Sequence, residues 1–270
     1  MGKVRFIILR WMSSARYILA LISAVVFPMI TISVIKAFLS LQGIIPVQYF
    51  EAFKTGDSYN IGVLAISSLD KLNSLTLDDF MRSVLSGTIM QSIVVVSLIS
   101  NIQADSNSGF IKLNITKGVK RGKIYLNYML ASVIAALPII VLSLISTFVV
   151  CNIRGIGHMN DAGTVRVTIL SQLIMILCLA LSAVVVILLF QNSKMILLIL
   201  AAILTVPTIS HYVYIFTGGR LSLDRAIIVC NLLGSCYMSS GQLLLSIAVA
   251  VITLVVFAVA GLFVFRKKNY

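Results

Sequence analysis

Six unbroken apolar runs constrain this chain more than anything else in it. They cover Tyr17–Leu39, Ser83–Gln103, Met129–Cys151, Thr168–Phe190, Met195–Thr217 and Leu243–Phe265. A helix needs about 20 apolar residues to cross a hydrocarbon layer of about 30 Å, and every run meets that length. Barrel strands would be about 10 residues long and would alternate apolar with polar. These runs are apolar on every face, as in bundled membrane helices. Lys36 is the one full charge inside them. Only 11% of the chain is charged, against about 25% in soluble domains. A soluble enzyme, a disordered chain and a disulfide-stapled secreted module are therefore excluded. The expected fold is an all-α integral membrane protein. Residues 1–16 form an amphipathic interfacial helix and residues 17–270 a six-helix transmembrane domain.

Charge sets the expected orientation. The net charge is +13, with 21 Lys and Arg. On a soluble chain that balance would point to nucleic acid. Here it directs attention to the cytoplasmic face, where Lys and Arg collect. The amino end, the 104–128 loop, the short loop with Lys194 and the carboxyl end hold thirteen of them. The loops on the other side hold seven, together with every acidic residue except Asp105. Both termini are thus expected in the cytoplasm, with no nucleic-acid partner.

Smaller features fill in the outline. The first run is too long for a signal-peptide core and lacks a small-x-small site before Lys36. Val4, Ile8, Trp11, Met12 and Ala15 share one helical face, with Lys3, Arg10 and Ser14 elsewhere. That pattern suits a helix lying along the inner leaflet; a plain basic anchor is the alternative. Thr76 and Asp79 have capping-box spacing, so a helix is expected from Leu77 into the second run. Ala226–Leu233 is apolar but too short to cross, and is expected to be re-entrant or interfacial on the outer side. Pro28, Pro138 and Pro207 fall inside runs and invite kinks.

Several chemistries lack their residues. The runs contain no Asp or Glu, the usual proton and ion relays of coupled pumps. No His-x-x-x-His, Cys-x-x-Cys or Gly-x-Ser-x-Gly motif occurs, so no catalytic or metal residue is assigned. His158 and His211 read as polar residues without a catalytic partner. Gly118–Lys123 falls short of a P-loop, because three residues separate its glycines and Ile124 follows the lysine. Cys151, Cys230 and Cys236 lie near the expected outer face, where a disulfide is conceivable in an oxidising compartment; free thiols are the default.

The most specific stretch is Asp105–Tyr128, DSNSGFIKLNITKGVKRGKIYLNY. Ile111, Ile115 and Val119 recur every four residues and mark one side of a short helix on which a soluble surface could dock. This stretch resembles the cytoplasmic loop of ABC-2 type exporter permeases. Asp105 and Gly109 match that loop's opening, Phe110–Leu113 its short helix, Gly118–Arg121 its turn and Lys123–Leu126 the run that follows. Asn127-Tyr128 departs from the lysine often found there.

The resemblance implies a permease subunit of an ATP-binding-cassette exporter in a bacterial plasma membrane, without enzymatic activity of its own. A separate ATPase, in two copies, would bind ATP and Mg and grip the coupling helix; this chain would hold no cofactor. A second permease, identical or homologous, would complete the pathway. Asp105, Gly109, Ile111, Ile115, Gly118 and Arg121 would then couple to the ATPase, with lipid phosphate as an alternative partner for Arg121. Thr31, Gln91, Ser97, Thr205 and Thr208 would line the path. Family likeness further implies an amphipathic or hydrophobic cargo such as an antimicrobial or cytolytic peptide. The alternative is an ATPase-independent immunity protein or channel in the same membrane.

Overall fold

The computed structural model describes residues 2–40, 54–55, 58–61, 64–66, 75–156, 161–190, 192–217, 226–236 and 238–267. Helices α1 (Gly2–Met12) and α2 (Ala15–Ser40) open the chain. Three short strands follow: β1 (Lys54–Thr55), β2 (Ser58–Ile61) and β3 (Leu64–Ile66). The rest is helical: α3 (Leu77–Ser83), α4 (Thr88–Asn107), α5 (Phe110–Thr116), α6 (Arg121–Ile153), α7 (Ala162–Phe190), α8 (Lys194–Phe216), α9 (Ile228–Gly234) and α10 (Ser240–Lys267).

Among the described residues, five helical stretches are long and apolar enough to cross a membrane: Ala15–Ile35, Leu77–Asn107, Arg121–Ile153, Ala162–Phe190 and Ser240–Lys267. The fifth expected run, Met195–Thr217, coincides with α8. The helices overrun the apolar runs at their ends. This matters most for α4, which continues past Gln103 and carries Asp105 in its last turn. The helices with internal prolines run on through Pro28, Pro138 and Pro207.

The helical class stands, but two details differ from expectation. Outside the long helices, β1, β2 and β3 form a small antiparallel meander with Tyr59 opposite both Lys54 and Ile66. The helix beginning at Leu77 also does not run smoothly into the second apolar run. It stops at Ser83, and α4 starts at Thr88. Ser83 and Ser86 turn their hydroxyls onto the carbonyls of Phe80 and Ser83 at 3.1 and 2.7 Å. Such local bonding competes with a regular helix. The start itself is as expected: Asp79 accepts from the Thr76 N–H at 2.9 Å.

Packing relies on small side chains. Ala20 and Ala24 of α2, and Ala131 and Ala135 of α6, are buried where these helices meet. Small residues four apart let membrane helices approach closely. Polar groups then lock the contact: the Tyr17 hydroxyl donates to the Ala135 carbonyl at 2.8 Å, and the Ser146 hydroxyl to the Val25 carbonyl at 2.7 Å. α10 leans mainly on α7 through buried Gly261, and only 17% of its most apolar window is buried.

The end of the bundle around α3 holds a second polar knot. The Gln172 amide donates to the Arg82 carbonyl and to Ser235 Oγ, and Cys236 Sγ donates to Ser86 Oγ at 3.0 Å. These bonds tie α3, α7 and the residues after α9 together. α9 is buried under this end, so the short apolar piece packs inside the bundle. All four cysteines are buried, and none forms a disulfide among the described residues. Burial pushes the Cys236 thiol up to about 11, which leaves it protonated at neutral pH and a poor nucleophile. At the start of α7, the hydroxyl and N–H of Thr164 donate to Asp161, and they hold its carboxyl below the usual range.

Candidate functional site

At the opposite end, one carboxylate gathers three helices. Asp105 sits in the last turn of α4 with about 1% of its surface exposed. Arg10 Nε of α1 approaches its Oδ1 at 3.2 Å. Trp11 Nε1, also from α1, donates to Oδ2 at 3.0 Å, and the Tyr128 hydroxyl of α6 donates to the same oxygen at 3.0 Å. A buried carboxylate is tolerated only when its charge and lone pairs are met. Here a guanidinium, an indole and a phenol meet them. This is the only ion pair among the described residues.

Aromatic contacts surround the node. Arg10 lies over the Phe110 ring with its Cζ 4.7 Å from the centroid, and Phe6 stacks on Phe110 at 5.8 Å. Such cation–π contacts add about 0.5–1 kcal/mol at partly exposed sites. The Arg10 Nη2 also donates to Ser108 Oγ at 3.0 Å. One helical turn on, the Ser14 hydroxyl donates to Asn101 Oδ1 at 2.8 Å. α1 is therefore fastened along α4, α5 and α6 together.

This rotates the amino-terminal helix relative to its expected face. Ile7 and Trp11 are buried, and Arg10 and Ser14 point inward. Met12 and Ala15, expected on the same face as Trp11, are exposed. The cause is Asp105, which draws in Arg10. Phe6, Leu9 and Met12 then form a second apolar stripe that faces outward. The short helix has two greasy sides, one for the bundle and one for its surroundings.

The loop after Asp105 takes a defined path. Gly109 starts α5 with φ +71° and Gly118 follows it with φ +77°, a conformation glycine adopts without steric cost. At Gly118 the N–H groups of Val119 and Gly118 return to the carbonyls of Asn114 and Ile115 at 3.1 and 2.9 Å, closing the helix end. Ile111 is about 1% exposed, and Ile115 and Val119 pack behind it on the bundle core. The i+4 stripe thus faces inward. The outward face of α5 is Lys112, Leu113, Thr116 and Lys117, with Leu113 49% exposed. Arg121 turns toward α10 and donates from Nη1 to the Arg266 carbonyl at 3.1 Å.

The six expected coupling residues therefore divide. Asp105, Ile111 and Ile115 position the helix, Gly109 and Gly118 shape its ends, and Arg121 ties it to the last helix. Sequence reading missed Arg10, Trp11, Lys112, Leu113 and Lys117, and took Tyr128 as a mere departure. One signal was available: if Ile111 and Ile115 face inward on a seven-residue helix, Leu113 must face outward.

The five expected path residues divide by exposure. Thr31, Gln91 and Ser97 are buried, whereas Thr205 and Thr208 lie on the exposed side of α8. The Thr205 hydroxyl donates to its own helix, to the Ala201 carbonyl at 2.8 Å. The Gln91 amide donates to the Ser86 carbonyl at 2.7 Å, while its Oε1 and the Ser97 hydroxyl have no partner among the described residues. His158 and the His211 side chain lie outside the described residues. No trio of His, Cys, Asp and Glu that could hold a metal occurs among the described residues. No protein-family model matches this chain, and no curated protein is recognisably similar to it.

Proposed function

We propose that this chain is the permease subunit of an ATP-driven exporter. It crosses the plasma membrane six times, with both termini in the cytoplasm, and moves an amphipathic or hydrophobic cargo such as a peptide. The observation that carries this reading is the Asp105 node. It clamps α1 to the junction of α4, α5 and α6 and turns a lysine-flanked apolar residue, Leu113, outward. A push on α5 would pass directly to the two long helices that flank it. The chain's own residues offer no nucleotide loop to power such a movement, so the work comes from a separate ATPase docked on that face. The exposed Thr205 and Thr208 suit a path completed by a second permease.

Co-expression with an ATP-binding-cassette ATPase subunit tests this reading. Lys112→Glu with Lys117→Glu is expected to abolish co-purification and ATPase stimulation while the permease still inserts. Desolvated anchors of an interface often contribute 2 kcal/mol or more each, so Leu113→Ala should weaken assembly by about thirtyfold. Full activity without any ATPase, unchanged by ATP depletion, would instead establish the stand-alone immunity or channel reading.

Orientation has its own check. Lys117 and Lys123 are exposed in the fold. A membrane-impermeant amine reagent should label them in inverted vesicles and leave them unmodified in intact cells. The opposite pattern overturns the orientation.

A further inference from the structure

A second feature of the same end is separate from α5. The first turn of α6 and the last turn of α10 meet there, and both are basic. Arg121 and Lys123 come from α6, and Arg266 and Lys267 from α10. Lys123, Arg266 and Lys267 are exposed. Gly122 makes the meeting possible. A Cβ at that position would lie 3.1 Å from Arg266 Nε and 3.3 Å from its Nη2. The guanidinium therefore rests against the bare backbone of α6, and the Arg121 bond to the Arg266 carbonyl fixes the two helix ends.

Among the described residues no carboxylate is seen at Lys123, Arg266 or Lys267. Asp105 is occupied by Arg10, Trp11 and Tyr128. Asp78, Asp79 and Asp161 sit at the far end of the bundle, at the starts of α3 and α7. Directly along the same two helices, Leu126, Leu130 and Phe263 are all more than half exposed. A cation cluster thus caps an apolar strip.

From this pairing we infer that the α6–α10 corner binds an anionic phospholipid. The phosphate sits among Lys123, Arg266 and Lys267, and the acyl chains lie along Leu126, Leu130 and Phe263. The inference rests on the reading that α6 and α10 cross a membrane, and is independent of an ATPase. Cations at a membrane surface attract anionic lipid individually; here two helices hold them beside a greasy track, which converts diffuse attraction into a site.

Native mass spectrometry of the full chain in detergent, titrated with phosphatidylglycerol or phosphatidylcholine, tests it. One tightly held phosphatidylglycerol is expected, retained in excess inorganic phosphate. Lys123→Gln, Arg266→Gln and Lys267→Gln together should weaken it by roughly fivefold per charge removed. Gly122→Ala keeps every charge but displaces Arg266, and should lower the preference for phosphatidylglycerol severalfold. Lys112→Gln with Lys117→Gln should leave binding unchanged, although those residues carry the proposed ATPase contact. Equal binding of both lipids, displacement by phosphate, or a triple variant that keeps the lipid but loses the ATPase would each overturn the inference.

Discussion

Asp105→Ala is expected to release α1 from the bundle while the long helices stay folded. It strands the Arg10 guanidinium, the Trp11 N–H and the Tyr128 hydroxyl at once. Breaking a buried ion pair by removing one partner costs about 3–5 kcal/mol. Arg10 is 35% exposed and keeps its bond to Ser108, so water recovers part of this and about 2–3 kcal/mol is expected. Hydrogen exchange across residues 2–12 is the direct readout. Protection there should fall by about thirty- to 150-fold, with α7 and α10 unaffected. Asp105→Asn should lose about half as much on the energy scale, since the amide oxygen still accepts. In a double-mutant cycle with Arg10→Gln, the two losses should be clearly less than additive. Unchanged exchange in α1 would show that the node is not what holds it.

The second large effect is steric. A Cβ on Gly261 would lie 2.5 Å from Val185 Cγ1 and 2.9 Å from the Tyr125 hydroxyl oxygen. Neither neighbour yields easily: Val185 is buried in α7, and the Tyr125 hydroxyl donates to the Ala258 carbonyl at 3.1 Å. Overpacking of this kind costs about 1–3 kcal/mol. Gly261→Val should reach the top of that range, because α10 has little other burial to hold it. Thermal unfolding in detergent would show the loss, and Gly261→Ala should recover in part when combined with Val185→Ala. Gly241, on the same helix, has nothing within 4 Å of an added Cβ; Gly241→Ala should be neutral or slightly stabilising. Equal effects at the two glycines would refute the packing argument.

These two positions also show what a membrane sequence reveals. Apolar length marked the long helices, because few other patterns give more than 20 such residues in a row. The face each helix buries was not legible, since lipid and protein core are equally apolar and leave no amphipathic signature. Gly261 looks like any other small residue until Val185 is set against it. Asp105 was conspicuous as the one acid on a basic side, yet its partners were hidden. Arg10 and Ser14 lie off the apolar face that the spacing of α1 marks, and Tyr128 is 23 positions away. The nine strand residues of the meander were missed because their stretch carries no run of alternating apolar residues long enough to stand out.

The distance in sequence between Trp11 and Asp105 has a temporal side. Ninety-four positions separate the indole from the carboxylate that receives it, and Tyr128 comes later still. At about 5–20 residues per second, the ribosome takes roughly 5–20 s to supply the acceptor. α1 is therefore made well before the carboxylate that seats it. On the proposed reading that the long helices cross a membrane, its outward stripe of Phe6, Leu9 and Met12 gives it a resting place on the bilayer while it waits.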